Sequence, residues 1–161
     1  MPLVSDYINS SLLDDSIKSN CPYYRKKFAE IAMKAGVNAA EISDQQSLKK
    51  LTTISSFNWA GLFFGPYWAI YRKIPIMGWG LFALIQVAIM IPALDKYFMA
   101  VNVPTALFVG FFGNGYLMRS CINNYSNTTS EEDRDRRSPM GLAIALGLAI
   151  IQAIFIFALE Q

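Results

Sequence analysis

The chain has 161 residues, of which 53% are hydrophobic and 16% are charged, and its formal net charge is +2. Soluble domains carry about 25% charged residues. Half of the Lys and Arg residues precede residue 57, and the later sequence contains four long uncharged stretches. These properties exclude a disordered tail, a disulfide-rich secreted scaffold and a nucleic-acid binder that works through net charge. They predict an all-α integral membrane protein.

Residues 1–56 form the most polar part of the chain and are predicted to be a cytoplasmic N-terminal helical region. The first twenty residues contain acidic side chains and lack the apolar run of a secretory signal. Apolar residues between 22 and 35 recur on one helical face, so we predict an amphipathic helix with Pro22 in its first turn and Gly36 beyond its end. Ser43 and Gln46 have the spacing of a capping box, which predicts a second short helix over residues 43–52.

The first predicted helix has a basic face whose role the sequence leaves open. Its members are Arg25, Lys26, Lys27 and Lys34. In one interpretation these side chains contact anionic lipid headgroups while the apolar face dips into the interface. In the other, Phe28 and Ile31 pack against the rest of the N-terminal region and the basic side chains are solvated.

The four uncharged stretches differ in length, and length decides which of them is predicted to cross a membrane. Residues 76–94, 103–118 and 140–159 are long enough, or nearly so, to span an apolar core of about 30 Å. Residues 57–71 are shorter, rich in aromatic side chains and interrupted by Gly65-Pro66. Proline disfavours helix at the preceding residue and removes a helical hydrogen bond. We therefore predict three transmembrane helices plus an aromatic re-entrant or interfacial hairpin.

This interpretation divides the chain into five parts and gives it an orientation. After residues 1–56 come a re-entrant segment (57–75), a transmembrane hairpin (76–122), a polar cytoplasmic linker (123–139) and a final transmembrane helix (140–161). With three crossings, thirteen of the fourteen Lys and Arg residues lie on one side, as the positive-inside rule favours. The predicted location is the inner membrane, multi-pass, with a cytoplasmic N-terminus and an external C-terminus.

The chain offers few residues for catalysis or metal binding. It contains no histidine, and no ionisable side chain lies inside the four apolar stretches. Cys21 and Cys121 are a hundred positions apart without a metal-binding pattern, so we expect inert thiols. We therefore predict no enzyme, no cofactor and no metal.

The apolar stretches contain four amide side chains: Asn58, Gln86, Asn114 and Gln152. Contacts between helices are favoured for them over contacts with a substrate. Pairs of small residues four apart, such as Ala143 and Gly147, predict close packing of helices or self-association.

One sequence motif resembles a known family. The motif comprises Phe57-Asn58-Trp59, Gly65-Pro66-Tyr67-Trp68 and Tyr71-Arg72-Lys73, with Asn114 downstream. It is similar to the signature of small bacterial inner-membrane proteins known as domain of unknown function 2628. The resemblance covers roughly residues 21–122 and implies a multi-pass membrane protein with an N-terminal cytoplasmic piece. It implies no reaction.

The function predicted from the sequence is that of a non-catalytic accessory or scaffold protein that binds a membrane or cytoplasmic partner. The predicted partners are membrane lipids and either another protein or a second copy of the chain, with no nucleic acid. The alternative is an oligomeric channel or carrier in which the broken Gly65-Pro66 segment lines a cavity.

Overall fold

The computed structural model describes residues 2–90, 98–127 and 134–159, and these residues are predominantly helical. Four helices precede residue 56: α1 (Val4–Asn9), α2 (Ser11–Ile17), α3 (Cys21–Ala35) and α4 (Gln45–Leu51). The later helices are α5 (Trp59–Tyr71), α6 (Leu81–Met90), α7 (Phe98–Asn127) and α8 (Pro139–Leu159), and a π-helical turn (Ile76–Gly80) leads into α6. The all-helical prediction is confirmed.

The two helices predicted outside the apolar stretches are present, with one difference in capping. Helix α3 has Pro22 in its first turn and ends at Gly36, whose φ of 68° lies in the left-handed region that glycine adopts readily. The N-cap of α4 is Asp44, whose carboxylate accepts hydrogen bonds from the backbone of Gln46 and Ser47. The capping box predicted at Ser43 is therefore wrong, because the adjacent carboxylate satisfies these donors.

Helices α1–α4 form a compact unit, which we call the head (residues 2–56). Its core contains fully buried side chains from all four helices, among them Val4, Leu13, Phe28, Ile31 and Leu48. The C-terminal half of α7 completes this core with Leu117, Met118 and Ile122. The apolar face of α3 is therefore buried within the protein, which favours the second of the two interpretations of this helix.

Helix α5 lies along α7, and glycines at the contact allow the two backbones to approach closely. A Cβ atom added to Gly61 would lie 2.8 Å from the carbonyl oxygen of Val109. A Cβ on Gly110 would lie 3.0 Å from the Cβ of Leu62. Larger residues at either position would push the helices apart, so these glycines set how α5 is placed on α7.

The remaining helices expose an apolar surface, which we call the apolar layer: α5, α6, α8 and residues 98–111 of α7. Large hydrophobic side chains are exposed at twenty described positions, and nineteen of these follow residue 58. Among the residues of α8 whose burial is described, only Ala145 is buried. Ile144, Ile150 and Ile154 are more than half exposed.

The prediction of membrane-spanning helices is wrong. In residues 2–90, 98–127 and 134–159, no helix combines the length and the apolarity that crossing a membrane requires. Helix α6 has only ten described residues, a length of about 15 Å at 1.5 Å per residue, which is half the thickness of an apolar membrane core. Helix α7 is longer, but its C-terminal half packs into the head and carries Asn114 and Arg119. The multi-pass inner-membrane location and the external C-terminus are therefore wrong as well.

The segments predicted on that basis have different structures. Residues 59–71 form helix α5, which is kinked at Gly65 and packs along α7. The prediction of a re-entrant or interfacial hairpin in this segment is therefore wrong. Residues 103–118 lie within a helix of thirty residues that continues to Asn127, into the predicted linker. Part of that linker and residues 91–94 lie outside the described residues.

Candidate functional site

Asn58 joins the beginning of α5 to α7. Its side-chain oxygen accepts a hydrogen bond from the backbone N–H of Gly61 at 3.1 Å, which caps the helix. Its own backbone N–H donates to the carbonyl of Gly110 at 2.7 Å. The backbone N–H of Ser56 donates to the carbonyl of Phe111 at 2.8 Å. The motif residue Asn58 is thus a buried structural connection.

Asn114 supports the same junction from α7. It is fully buried, and its side-chain nitrogen lies 3.4 Å from the backbone oxygens of Ser56 and Phe57. The ring of Phe57 contacts the rings of Trp59 and Phe111, with centroids 4.7 and 5.5 Å apart. The first part of the motif therefore pins the start of α5 to the middle of α7.

Trp68 occupies the space that a glycine on α7 leaves open. A Cβ added to Gly113 would lie 2.8 Å from an atom of the Trp68 ring, so only glycine fits against this side chain. Trp68 is 6% exposed and belongs to the main core.

Arg72 follows α5 and connects it to the head. It is 5% exposed, and its guanidinium donates to the carbonyl of Ile17 at 3.2 Å and to the Tyr24 hydroxyl at 3.3 Å. The guanidinium also lies over the Tyr24 ring, 5.0 Å from its centroid. Burial raises the pKa of Tyr24, and the positive charge of Arg72 partly opposes that rise. Arg72 is therefore a bridge between two helical units.

Tyr71 and Lys73 connect α5 to the segment that precedes α8. The carbonyl of Tyr71 accepts from the backbone N–H of Ser138 at 2.7 Å, and the Lys73 ammonium donates to the carbonyl of Asp135 at 2.8 Å. Arg136 donates to the carbonyl of Lys73 and to the Ser120 hydroxyl. Burial lowers the pKa of Arg136.

The basic residues of α3 are placed around the head, and three of them have acidic partners. Arg25 contacts Asp14 at 2.8 Å, and Glu30 pairs with Lys27 at 3.5 Å and with Lys34 at 2.7 Å. These ion pairs hold the pKa of Glu30 below its usual range. Lys26 is exposed. Contact of these four basic residues with lipid headgroups stays a prediction. The apolar face of α3, which would have to insert into the membrane interface, is buried within the protein.

Gly65 and Pro66 line a cleft between α5, α6, α7 and α8. Gly65 has φ 46° and ψ −126°, which breaks the helix at this point, and a Cβ added there would meet no atom within 4 Å. The cleft has a volume of about 480 Å³. At one end, the rings of Tyr67 and Phe82 pack edge to face with centroids 5.7 Å apart, in a cluster with the buried Ala145 of α8.

Three amide side chains from three helices interrupt the apolar lining of the cleft. They are Gln86 of α6, Asn102 of α7 and Gln152 of α8. The Gln152 side-chain nitrogen donates to the backbone carbonyl of Gln86 at 3.2 Å, which links α8 to α6. The other described residues of the lining carry no charge. Gln86 and Gln152 are among the amides that the sequence predicts as helix contacts, whereas Asn102 is not, because it lies one position before the apolar stretch that begins at residue 103.

The two cysteines lie in a different part of the molecule and form no disulfide. Cys121 is fully buried, and burial raises the pKa of its thiol to about 12. Within the described part of the chain, no three His, Cys, Asp or Glu residues are grouped as a metal site would require. These thiols therefore offer no activated nucleophile at neutral pH.

Compared with known proteins, the chain matches no family model, no curated protein and no solved structure. The resemblance of the aromatic motif to domain of unknown function 2628 therefore stays a prediction.

Proposed function

We propose that this protein is a non-catalytic scaffold that self-associates through its apolar layer. The observation that carries the proposal is the uneven distribution of exposed hydrophobic side chains, nearly all of which follow residue 58. Apolar patches of more than a few hundred Å² on a protein surface ordinarily mark a contact surface.

A second copy of the same chain is the partner that α8 suits best. The helix contains no charged residue, so two copies placed against one another meet no repulsion between like charges. A two-fold interface must be complementary to itself, and a helix without charged residues meets that requirement. A stable interface covers about a tenth of a small protein's accessible surface, which for this chain of 9089 Å² is about 900 Å² on each copy.

Small residues on α8 support close packing between copies. A Cβ added to Gly147 would meet no atom within 4 Å, and Ala143 is exposed four residues earlier. No described residue of the same chain covers the face that carries these two residues. Small residues at such spacing allow two helix backbones to approach closely.

The absence of histidine from the chain and the burial of Cys121 support a non-catalytic role. The arginines near the aromatic motif likewise point inward: Arg72 and Arg136 donate to neighbouring oxygen atoms of the same chain. In this proposal the motif holds the head on the apolar layer, and the layer holds two copies together.

Disulfide cross-linking between copies tests the proposal. In a Cys21→Ser background, Gly147→Cys on α8 is compared with Lys26→Cys on the exposed face of α3, a matched control in the head. Mild oxidation is expected to cross-link the Gly147→Cys chains and to leave the Lys26→Cys chains single. Equal cross-linking of both variants, or none in either, would contradict the proposed interface.

The mass of the purified chain in analytical ultracentrifugation gives an independent measurement. The wild-type chain is expected to sediment as a dimer, and Ile150→Glu to raise the dissociation constant by at least about tenfold. Ile150 is 60% exposed, so the substitution leaves the fold of one chain intact, which circular dichroism would verify. A monomeric wild-type chain would overturn self-association.

A further inference from the structure

We infer that the cleft between α5, α6, α7 and α8 binds an uncharged, single-chain amphiphile, a molecule with an apolar tail that ends in an ester, amide or alcohol group. This inference does not rest on self-association, because the cleft is formed by helices of one chain. Its volume of about 480 Å³ lies within the range of about 300–1,000 Å³ that is typical of small-molecule sites.

The lining of the cleft favours an apolar body. Its walls include Phe63, Phe64, Pro66, Ile85 and Val103. Phe82 is only 5% exposed and Ile85 only 9%, so the α6 wall is supported by the protein behind it. The cleft follows α6 from Phe82 to Ile89, a length of about 10 Å at 1.5 Å per residue. An elongated chain fits this shape.

The amide side chains define the polar part of the ligand. A carboxamide both donates and accepts hydrogen bonds, so Gln86, Asn102 and Gln152 together can pair with a carbonyl and a hydroxyl. Each comes from a different helix, and all three line the same cleft, so the polar group of the ligand would lie against them.

The same lining disfavours a charged ligand. Among the described residues, the fifteen that line the cleft include no Lys, Arg, Asp or Glu. A carboxylate placed against these walls would lose its hydration without gaining an opposite charge, which is costly. The cleft should therefore distinguish a neutral ester from the anion of the corresponding fatty acid.

The break at Gly65 makes this cleft possible. An uninterrupted helix would carry side chains through the position where α5 turns, whereas Gly65 leaves the space beside its backbone open. Pro66 lacks a backbone N–H and cannot continue the hydrogen-bond pattern across the break.

A fluorescence competition assay tests the inference. The uncharged probe N-phenyl-1-naphthylamine is bound to the purified full chain and displaced with 1-monodecanoylglycerol, with sodium decanoate or with decane. We expect the monoglyceride to displace the probe at a concentration at least about tenfold lower than decanoate. Equal displacement by the ester and the anion would overturn the proposed selectivity.

Paired alanine substitutions distinguish the cleft from the rest of the surface. Ala149 lines the cleft, whereas Ala29, an exposed residue of α3 in the head, is absent from its lining. Ala149→Phe is expected to weaken probe binding by about tenfold, and Ala29→Phe to leave it unchanged. If Ala149→Phe binds the probe as the wild type does, the probe occupies the general apolar surface and the inference fails.

Gln152→Leu provides a variant that removes the amide while keeping a side chain of similar size. It is expected to weaken displacement by 1-monodecanoylglycerol about tenfold and to leave displacement by decane unchanged. A parallel loss for both competitors would mean that Gln152 acts only by holding α8 against α6, and would contradict its proposed role in recognition.

Discussion

The head and the apolar layer are built from similar elements but bury them differently. In the head, short helices surround Phe28, Ile31, Leu48 and Leu51, each of which is completely buried. In the layer, α8 is a helix of twenty-one residues and leaves most of its described side chains exposed. The comparison shows that apolar content alone does not create a core. Burial requires neighbouring helices on several sides, and α8 has them mainly near its beginning.

The largest expected effect on stability comes from replacing one phenylalanine in the head, and a phenylalanine in the layer provides the comparison. Phe28→Ala in the head should lower the free energy of unfolding by about 3–5 kcal/mol, because a fully buried ring leaves a cavity. Phe63→Ala in the layer, where the ring is 73% exposed, should change it by no more than about 0.5 kcal/mol. Urea denaturation followed by circular dichroism measures both. Similar losses for the two variants would remove the distinction.

The connection between the regions should be the next most sensitive feature. Arg72→Met removes the donor to the carbonyl of Ile17 and the hydroxyl of Tyr24. Buried hydrogen bonds to a charged group are each worth about 1.5–3 kcal/mol, and both bonds are long, so we expect a loss of about 3 kcal/mol. The same denaturation experiment with Lys26→Met, at an exposed position of α3, serves as the control. A loss in the control that equals that of Arg72→Met would speak against a specific bridge.

Two glycines provide a matched test of packing. A Cβ on Gly115 of α7 would lie 2.2 Å from the carbonyl oxygen of Leu51 in the head, whereas a Cβ on Gly147 would meet nothing. Gly115→Ala should therefore destabilise the protein by about 2 kcal/mol through overpacking. Gly147→Ala should stabilise the fold of the single chain by up to about 1 kcal/mol, because alanine is the better helix former and is still small enough for the proposed contact between copies. Thermal unfolding checks the opposite signs, and stabilisation by Gly115→Ala would refute the close contact.

The smallest effect concerns pH and is confined to the head. Hydrogen bonds from the side chain and backbone of Ser47 lower the pKa of Asp44 below its usual value. The stabilisation by this carboxylate is therefore present above its unfolded pKa of about 3.9 and is lost as the pH falls through the lower, folded value.

The advantage of the wild type over Asp44→Asn in urea midpoint should accordingly be largest near neutral pH and shrink at low pH. The comparison of Phe63→Ala with the wild type serves as the control, because Phe63 is an exposed residue of α5, which contains no Asp, Glu or His that would titrate at low pH. A difference for Asp44→Asn that does not vary with pH would contradict the role of the charged cap.

The helical elements followed from local patterns in the sequence. The spacing of Phe28 and Ile31 predicts the buried face of α3, and Pro22 and Gly36 mark its ends. The sequence does not distinguish Ser43 from Asp44 as the cap of α4, because both side chains can accept hydrogen bonds from the first turn of the helix. Backbone geometry at Asp44 decides between them.

The candidate site was predicted only in part. Gly65-Pro66 predicts a break in the helix, and Gln86 and Gln152 are recognisable as polar side chains within apolar stretches. Asn102 was missed because its contribution depends on the position of α7 relative to α6 and α8, which no local pattern contains. The predicted membrane crossings are wrong because they depend on the length of each uncharged stretch alone. That length contains no information on the π-helical turn before α6 or on the insertion of the end of α7 into the head.

By itself, the sequence determined the helical class, the ends of α3, the break in α5 and the concentration of apolar residues after residue 58. These properties depend on residues that are close together along the chain. Only the tertiary structure decided that Asn58, Asn114 and Arg72 connect helices and that three amides share one cleft. Those arrangements depend on contacts between residues far apart in sequence, where glycines such as Gly61 determine how closely the helices pack.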